Sequence, residues 1–166
     1  GGADLETDES MAERIFLAPS GYSVAGPDDA YKYWAKTYKQ TVGDVKVTSP
    51  NPVDVEIRFI MTDGSLPTKT MVDGLAEYLQ DENIRPLTDR VTVLAPETVS
   101  FDISLTYYIN RSDQSKAGTI QGEVAQAIAD YIDWQTMTIG RDINPSELTK
   151  RIIAAGAKRV DITAPA

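Results

Sequence analysis

The chain has 166 residues with 42% hydrophobic content, no cysteine, no histidine and a formal net charge of −9. That length and apolar fraction suit one domain or two small ones. The missing residue types exclude a disulfide framework, thiolate and imidazole metal sites, and Ser-His-Asp or Cys-His catalysis. Overall acidity opposes binding to nucleic acid phosphate, which needs lysine and arginine to displace counterions, and no run approaches the roughly 20 apolar residues that cross a bilayer.

The charge is uneven. Residues 1–30 hold seven acids and one base, whereas the remaining residues hold 18 acids and 15 bases. The acidic opening "DLETDESMAER" reads either as a disordered solubilising tail or as a helical connector, and Met11, Ile15 and Phe16 at helical spacing favour the connector. The first residues lack the basic and apolar regions of a signal peptide, and a start at Gly1 suggests a boundary within something longer.

A helix is expected to begin at "GPDD", with Gly26 as N-cap, Pro27 at the first helical position, and Asp28 and Asp29 against the positive end of the helix dipole. The helix carries "AYKYWAKTYK", a mixture of aromatic and basic residues that suits stacking on nucleic acid when both are exposed side by side. At 100° per residue, Tyr31, Trp34, Ala35, Tyr38 and Val42 form one stripe, and Lys32, Lys36 and Lys39 form another. The segment is therefore expected to pack a core with Trp34 as its anchor. Tyr33, off the stripe, is the residue left for an exposed contact.

Next, Val45 and Val47 lead to "SPNP", after which Val53, Val55, Ile57, Phe59 and Met61 alternate onto one face, which predicts a hairpin. Asp63-Gly64 ends the second strand. Pro67 opens a helix with Met71, Val72, Leu75 and Leu79 on its apolar stripe. "DENIRPLTDR" is a polar connector, and "VTVLAPETVSFDISLTYYIN" reads as a short strand, a Pro-Glu turn, and a long strand alternating from Val99 to Ile109.

A helix over about 116–134 stacks Ile120, Val124, Ile128, Tyr131 and Ile132. A shorter one has Asn144 as N-cap, Pro145 at its first position, Glu147 in a capping-box-like pair and Gly156 as its stop. A strand over 160–163 completes the set. The fold class expected is α+β: an antiparallel or mixed sheet with helices on one face, built as a split βαβ (ferredoxin-like) core and preceded by a helical N-terminal segment. The corresponding divisions are 1–25 as connector, 26–52 as helix plus first hairpin strand, and 53–166 as the α+β domain.

There is no Walker loop, GxGxxG, EF-hand loop or nucleophile elbow. Asp63 before Gly64 reads as a turn former more readily than as a metal ligand. Asp54, Glu56 and Arg58 on one strand face suit cross-strand ion pairs, and Lys158 and Arg159 of "AKRVD" suit the end of the last helix or the flank of the final strand, with a phosphate site as the lesser reading. No catalytic, cofactor-binding or metal-ligating residue is assigned, and no enzyme activity or cofactor is expected. A carboxylate-dependent hydrolase rests only on abundant acids. A small-ligand or saccharide-binding α+β domain, motivated by Tyr33 and the other tyrosines, is the alternative function.

Three stretches taken in order, "AGPDDAYKYWAKTYKQTVGDVKVTSPNP", "VDVEIRFIMTDGSLPTKTMVDGLAEYL" and "IRPLTDRVTVLAPETVSFDISLTYYI", resemble the J-like baseplate protein family of contractile-tailed bacteriophages and related tail-like machines. The likeness covers nearly the whole chain and corresponds to the later part of a family member. It implies a structural wedge component, in a virion tail baseplate assembled in the bacterial host cytoplasm. The implied partners are other copies of itself and other wedge or hub proteins, with no nucleic acid, membrane or small-molecule substrate. No catalytic or cofactor residue is implied either.

Overall fold

Helix α1 (Asp28–Tyr38) leads into strand β1 (Val42–Thr48), which the tight "SPNP" reversal folds back onto β2 (Asp54–Met61). Helix α2 (Lys69–Tyr78) then carries the chain over to β3 (Arg90–Leu94). The structure, a computed structural model, describes residues 11–13, 15–17 and 28–165. The chain divides into two compact units, Gly1–Pro96 and Glu97–Ala166.

In the first unit the sheet order is β1-β2-β3. β1 pairs antiparallel with β2, with Val45 opposite Phe59 and Val47 opposite Ile57, and β2 pairs in parallel with β3, with Ile57 opposite Val93. The parallel pair requires a crossover, and α2 supplies it. Thr68 caps α2 by accepting from the Met71 N–H through its hydroxyl, so the helix begins at Lys69, two residues after the Pro67 expected to open it. The alternating face predicted for β2 is the buried one: Ile57 and Phe59 are fully enclosed, and Val55 and Met61 pack at the margin. These join Tyr31, Ala35, Leu75, Leu79, Ile84 and Val93 in one core. Helices α1 and α2 meet where Tyr38 lies against Gly74. A β-carbon at that glycine would collide with the tyrosine hydroxyl, so the close approach depends on the absence of a side chain.

The second unit holds β4 (Ser104–Tyr108), a 3-10 turn (Arg111–Lys116), α3 (Ala117–Thr136), α4 (Pro145–Ala154) and β5 (Arg159–Ala164). β4 and β5 form a two-stranded antiparallel sheet. One cluster of Ile120, Val124, Tyr131, Leu148, Ile152 and Ala157 receives Phe101, Ile103, Leu105, Tyr107, Ile109, Val160 and Ile162 at its edge. Two strands alone are marginal in water, so this sheet stands because the helices cover its apolar face. Asn144 caps α4 as expected, accepting from the Glu147 N–H at 3.1 Å. The Glu147 carboxylate turns instead to Arg151 at 2.9 Å, so only half of a capping box is made. Gly156, at φ +105°, stops the helix.

The α+β class holds, but a single ferredoxin-like sheet does not form. β3 joins β2 in parallel, and β4 pairs with β5 in a separate sheet. The Pro-Glu step read as a turn between two strands is instead the junction between the units. β3 ends at Leu94, and Pro96, two residues on, has no N–H with which to continue a ladder. The division at 52/53 fails for a simple reason: it cuts the β1–β2 hairpin, whose two strands share one core. The long strand predicted from Val99 is paired only over β4. Of the expected connector, residues 11–13 and 15–17 are helical, but Met11, Ile15 and Phe16 are exposed and it is Leu17 that is buried. The caps assigned to Gly26 and Pro27 lie outside the described residues.

Candidate interaction surfaces

On α1 the aromatic and basic residues separate as the phase predicts, although the anchor differs. Tyr31 is 3% exposed and Ala35 is fully enclosed, while Trp34 is only half-buried against the same core. Tyr33 is also half-buried, edge-on to the Trp34 ring with centroids 5.1 Å apart, so it is not the free tyrosine that its position suggested. The lysine stripe is engaged: Lys36 meets Glu13 at 2.7 Å, Lys32 lies 3.7 Å from Asp29, and Lys39 sits over the Tyr38 ring. A stacking platform for bases needs rings and cations both open to a ligand, and α1 presents neither.

A hollow beside α1 is lined by Asp28, Tyr31, Thr48, Val53, Val55 and Asp89. At its base the Tyr31 hydroxyl donates to Asp89 Oδ2 at 2.6 Å. Burial and then the neighbouring carboxylate push the phenol well above its ordinary range. The hydroxyl is therefore a neutral donor locked to its carboxylate, linking α1 to the residue that precedes β3. Arg85 donates to the Asp89 carbonyl at 2.5 Å and fixes the same corner. Val53, on the rim, has φ +66°, a left-handed backbone that a β-branched residue rarely adopts.

The acidic residues singled out in the sequence take structural roles. Asp63 accepts from both the Ser65 hydroxyl (2.5 Å) and the Ser65 N–H (3.0 Å), which closes the turn after β2 around Gly64. Those two bonds, side chain first, hold its carboxyl below the usual range. Asp54 pairs across strands with Arg90 at 2.9 Å, matching the expected cross-strand pair, whereas Glu56 reaches Arg58 along its own strand at 3.4 Å. Arg159 flanks the final strand, bonded to Asp161 at 2.8 Å with its guanidinium over Tyr108. Among the described residues no group of three or more acidic side chains is placed to hold a metal ion, and no helix is long and apolar enough to cross a membrane.

One surface was not visible in the sequence. Val99, Phe101, Ile103 and Leu105, together with Ile128 and Ile132 of α3, line an open groove of about 800 Å³ in the second unit. Alternation marks residues 99–103 as strand-like, but alternation cannot say whether a partner strand exists. Here Val99 is 82% exposed and Ile132 40%. The groove is apolar on its floor, acidic at Asp102, and open along one side.

Comparison with known proteins follows the same two-part division. The description "Baseplate J-like central domain" matches residues 23–95, and "Baseplate J-like protein C-terminal domain" matches residues 99–166. The chain is also 31% identical over 164 residues to "Baseplate protein J" of Escherichia phage P2, an alignment covering 98% of this chain and 53% of that protein. It thus spans about half the length of that curated relative. The two matched segments meet where the fold itself divides, within three residues of the Pro96/Glu97 junction. The chain belongs to the baseplate J-like protein family, of which it carries the central and C-terminal domains.

Proposed function

We propose that this chain is a structural part of a contractile-tail baseplate, a wedge component that acts through protein–protein contacts and not through catalysis. The observation that carries this reading is the match of each compact unit to its own baseplate J-like domain, in order and over nearly the whole chain. Its partners are further copies of itself and other wedge or hub proteins. Its place is the virion tail baseplate, assembled in the host cytoplasm. The chemistry of the surfaces supports such a role: the charged side chains of the first unit close turns and strand pairs, and the second unit leaves an apolar groove uncovered.

The test is deletion of this region from the tail gene in the source phage or prophage, followed by electron microscopy of induced lysates. Sheaths or tails without baseplates are expected. Normal baseplates in the deletion strain would refute the proposal.

A further inference from the structure

We propose that the hollow beside α1 is a socket for one lysine side chain of a partner polypeptide. This deepens the reading of the chain as a protein that acts through protein–protein contacts, and it rests on that reading.

The lining of the hollow is amphipathic. Val53, Val55 and Pro86 give it apolar wall, and Asp28 and Asp89 bring two carboxylates from separate elements, around a volume of about 350 Å³. That is the lower end of the size of ligand clefts, about 300–1,000 Å³, and it suits a single long side chain better than a helix or a strand. A lysine carries the matching division, an apolar four-carbon stem and a charged head.

The two carboxylates keep their charge. The cations nearest in sequence are directed elsewhere: Lys32 to Asp29 at 3.7 Å, Arg90 to Asp54 at 2.9 Å, and Arg85 to the backbone carbonyl of Asp89. Asp89 takes only neutral donors, the Tyr31 hydroxyl at Oδ2 (2.6 Å) and the Thr88 hydroxyl at Oδ1 (3.3 Å). The side chain of Asp28 has no hydrogen-bond or ion-pair partner among the described residues. With both oxygens of Asp89 already accepting, no open carboxylate edge is left for the two parallel bonds of a guanidinium. A compact ammonium needs only proximity to the two charges, so lysine fits better than arginine.

The mouth of the hollow argues for a polypeptide over a free amine. Leu87, between the lining residues Pro86 and Thr88, is 95% exposed, and Val53 is 46% exposed. Apolar side chains in that position give the neighbours of an inserted lysine something to pack on, a contact that a small diamine does not make.

The test titrates acetyl-Leu-Lys-Leu-amide into the full chain and follows the methyl signals of Val53 and Val55 by NMR. The same peptide with norleucine or arginine in place of lysine, and putrescine, are run alongside. The lysine peptide is expected to shift both valines saturably, and to bind roughly tenfold more tightly than the norleucine peptide. Asp28→Asn should weaken the lysine peptide about fivefold and leave the norleucine peptide unchanged. Leu87→Ser should weaken the peptide and leave putrescine unchanged. Both substitutions lie at exposed positions, and circular dichroism checks that the fold is kept. Equal binding of the norleucine peptide, tighter binding of the arginine peptide, or indifference to Asp28→Asn overturns the proposal. Putrescine binding as tightly as the lysine peptide assigns the hollow to a free amine and overturns it too. If the lysine peptide does not bind but deletion of the region still abolishes baseplates, the socket is wrong and the baseplate role stands. If it binds as expected although baseplates assemble without the region, the socket is upheld and the baseplate role fails.

Discussion

Val53 offers a test of the backbone itself. At φ +66° it sits in the left-handed region, held there from both sides: the Asp54 N–H donates to the Asn51 carbonyl at 3.1 Å, and the Val53 carbonyl accepts from the Arg90 N–H at 2.7 Å. The Ser49 hydroxyl also lies within bonding distance of the Asn51 and Asp54 carbonyls, at 3.1 and 2.9 Å. A residue with a β-carbon pays about 1–2 kcal/mol for this conformation, whereas glycine costs about 0.5–1 kcal/mol relative to alanine through lost chain entropy. Comparing Val53→Gly with Val53→Ala removes the side-chain burial common to both. The glycine variant should be the more stable by about 0.5–1 kcal/mol, the reverse of the usual order. Each unit contains one tryptophan, so in a Trp134→Phe background the fluorescence of Trp34 reports urea unfolding of the first unit alone. The shift is read as a change of midpoint at constant slope. An alanine variant as stable as the glycine variant, or more so, would show that the turn is not held at positive φ.

Tyr31→Phe should destabilise the first unit by about 1–2 kcal/mol, since the Asp89 carboxylate loses a partly buried charge-assisted bond. It should also remove an alkaline dependence. The folded phenol titrates above its ordinary value of 10.0, so its contribution is complete below that pH and is lost as pH rises toward the folded value. Wild-type stability should therefore fall above about pH 10 more steeply than that of the phenylalanine variant in parallel urea titrations. Trp34→Ala should cost about 2 kcal/mol, below the 3–5 kcal/mol of a fully enclosed aromatic, because the ring packs against the core from its margin and is partly open to solvent. A loss above about 4 kcal/mol in chemical denaturation would place the ring in the core after all.

The elements were largely legible because each carries local chemistry. Asn144 and Pro145 mark a helix start, Gly156 a stop, Asp63-Gly64 a turn, and Ile57 and Phe59 the inner face of a strand. What could not be read was which strand pairs with which. Val91 and Val93 alternate as well for a hairpin with the next strand as for a parallel pair with β2, and only the α2 crossover and the break at Pro96 decide. The α1 anchor was misjudged for a related reason. Helical phase placed Tyr31 and Trp34 on one stripe, but the stripe is wider than the contact, and Tyr31 is the one whose hydroxyl finds Asp89. The groove was invisible because exposure of Val99 and Ile132 depends on a missing neighbour, and alternation is blind to neighbours.

Both units enclose side chains fully and both leave large apolar ones in solvent, but they do so in different settings. The first encloses Ala35, Ile57, Phe59, Leu75 and Leu79 fully between three strands and two helices, and its exposed Leu66 and Leu87 lie in connections between elements. The second encloses Tyr131, Leu148 and Ile152 fully, but the inward residues of its two-stranded sheet are only half-buried, and Val99, Ile132 and Ile153 stand in solvent. A unit selected only to fold would gain by covering those side chains, at about 25 cal/mol for each Å² removed from water. Keeping them exposed beside an unpaired strand segment makes sense where another chain supplies the cover.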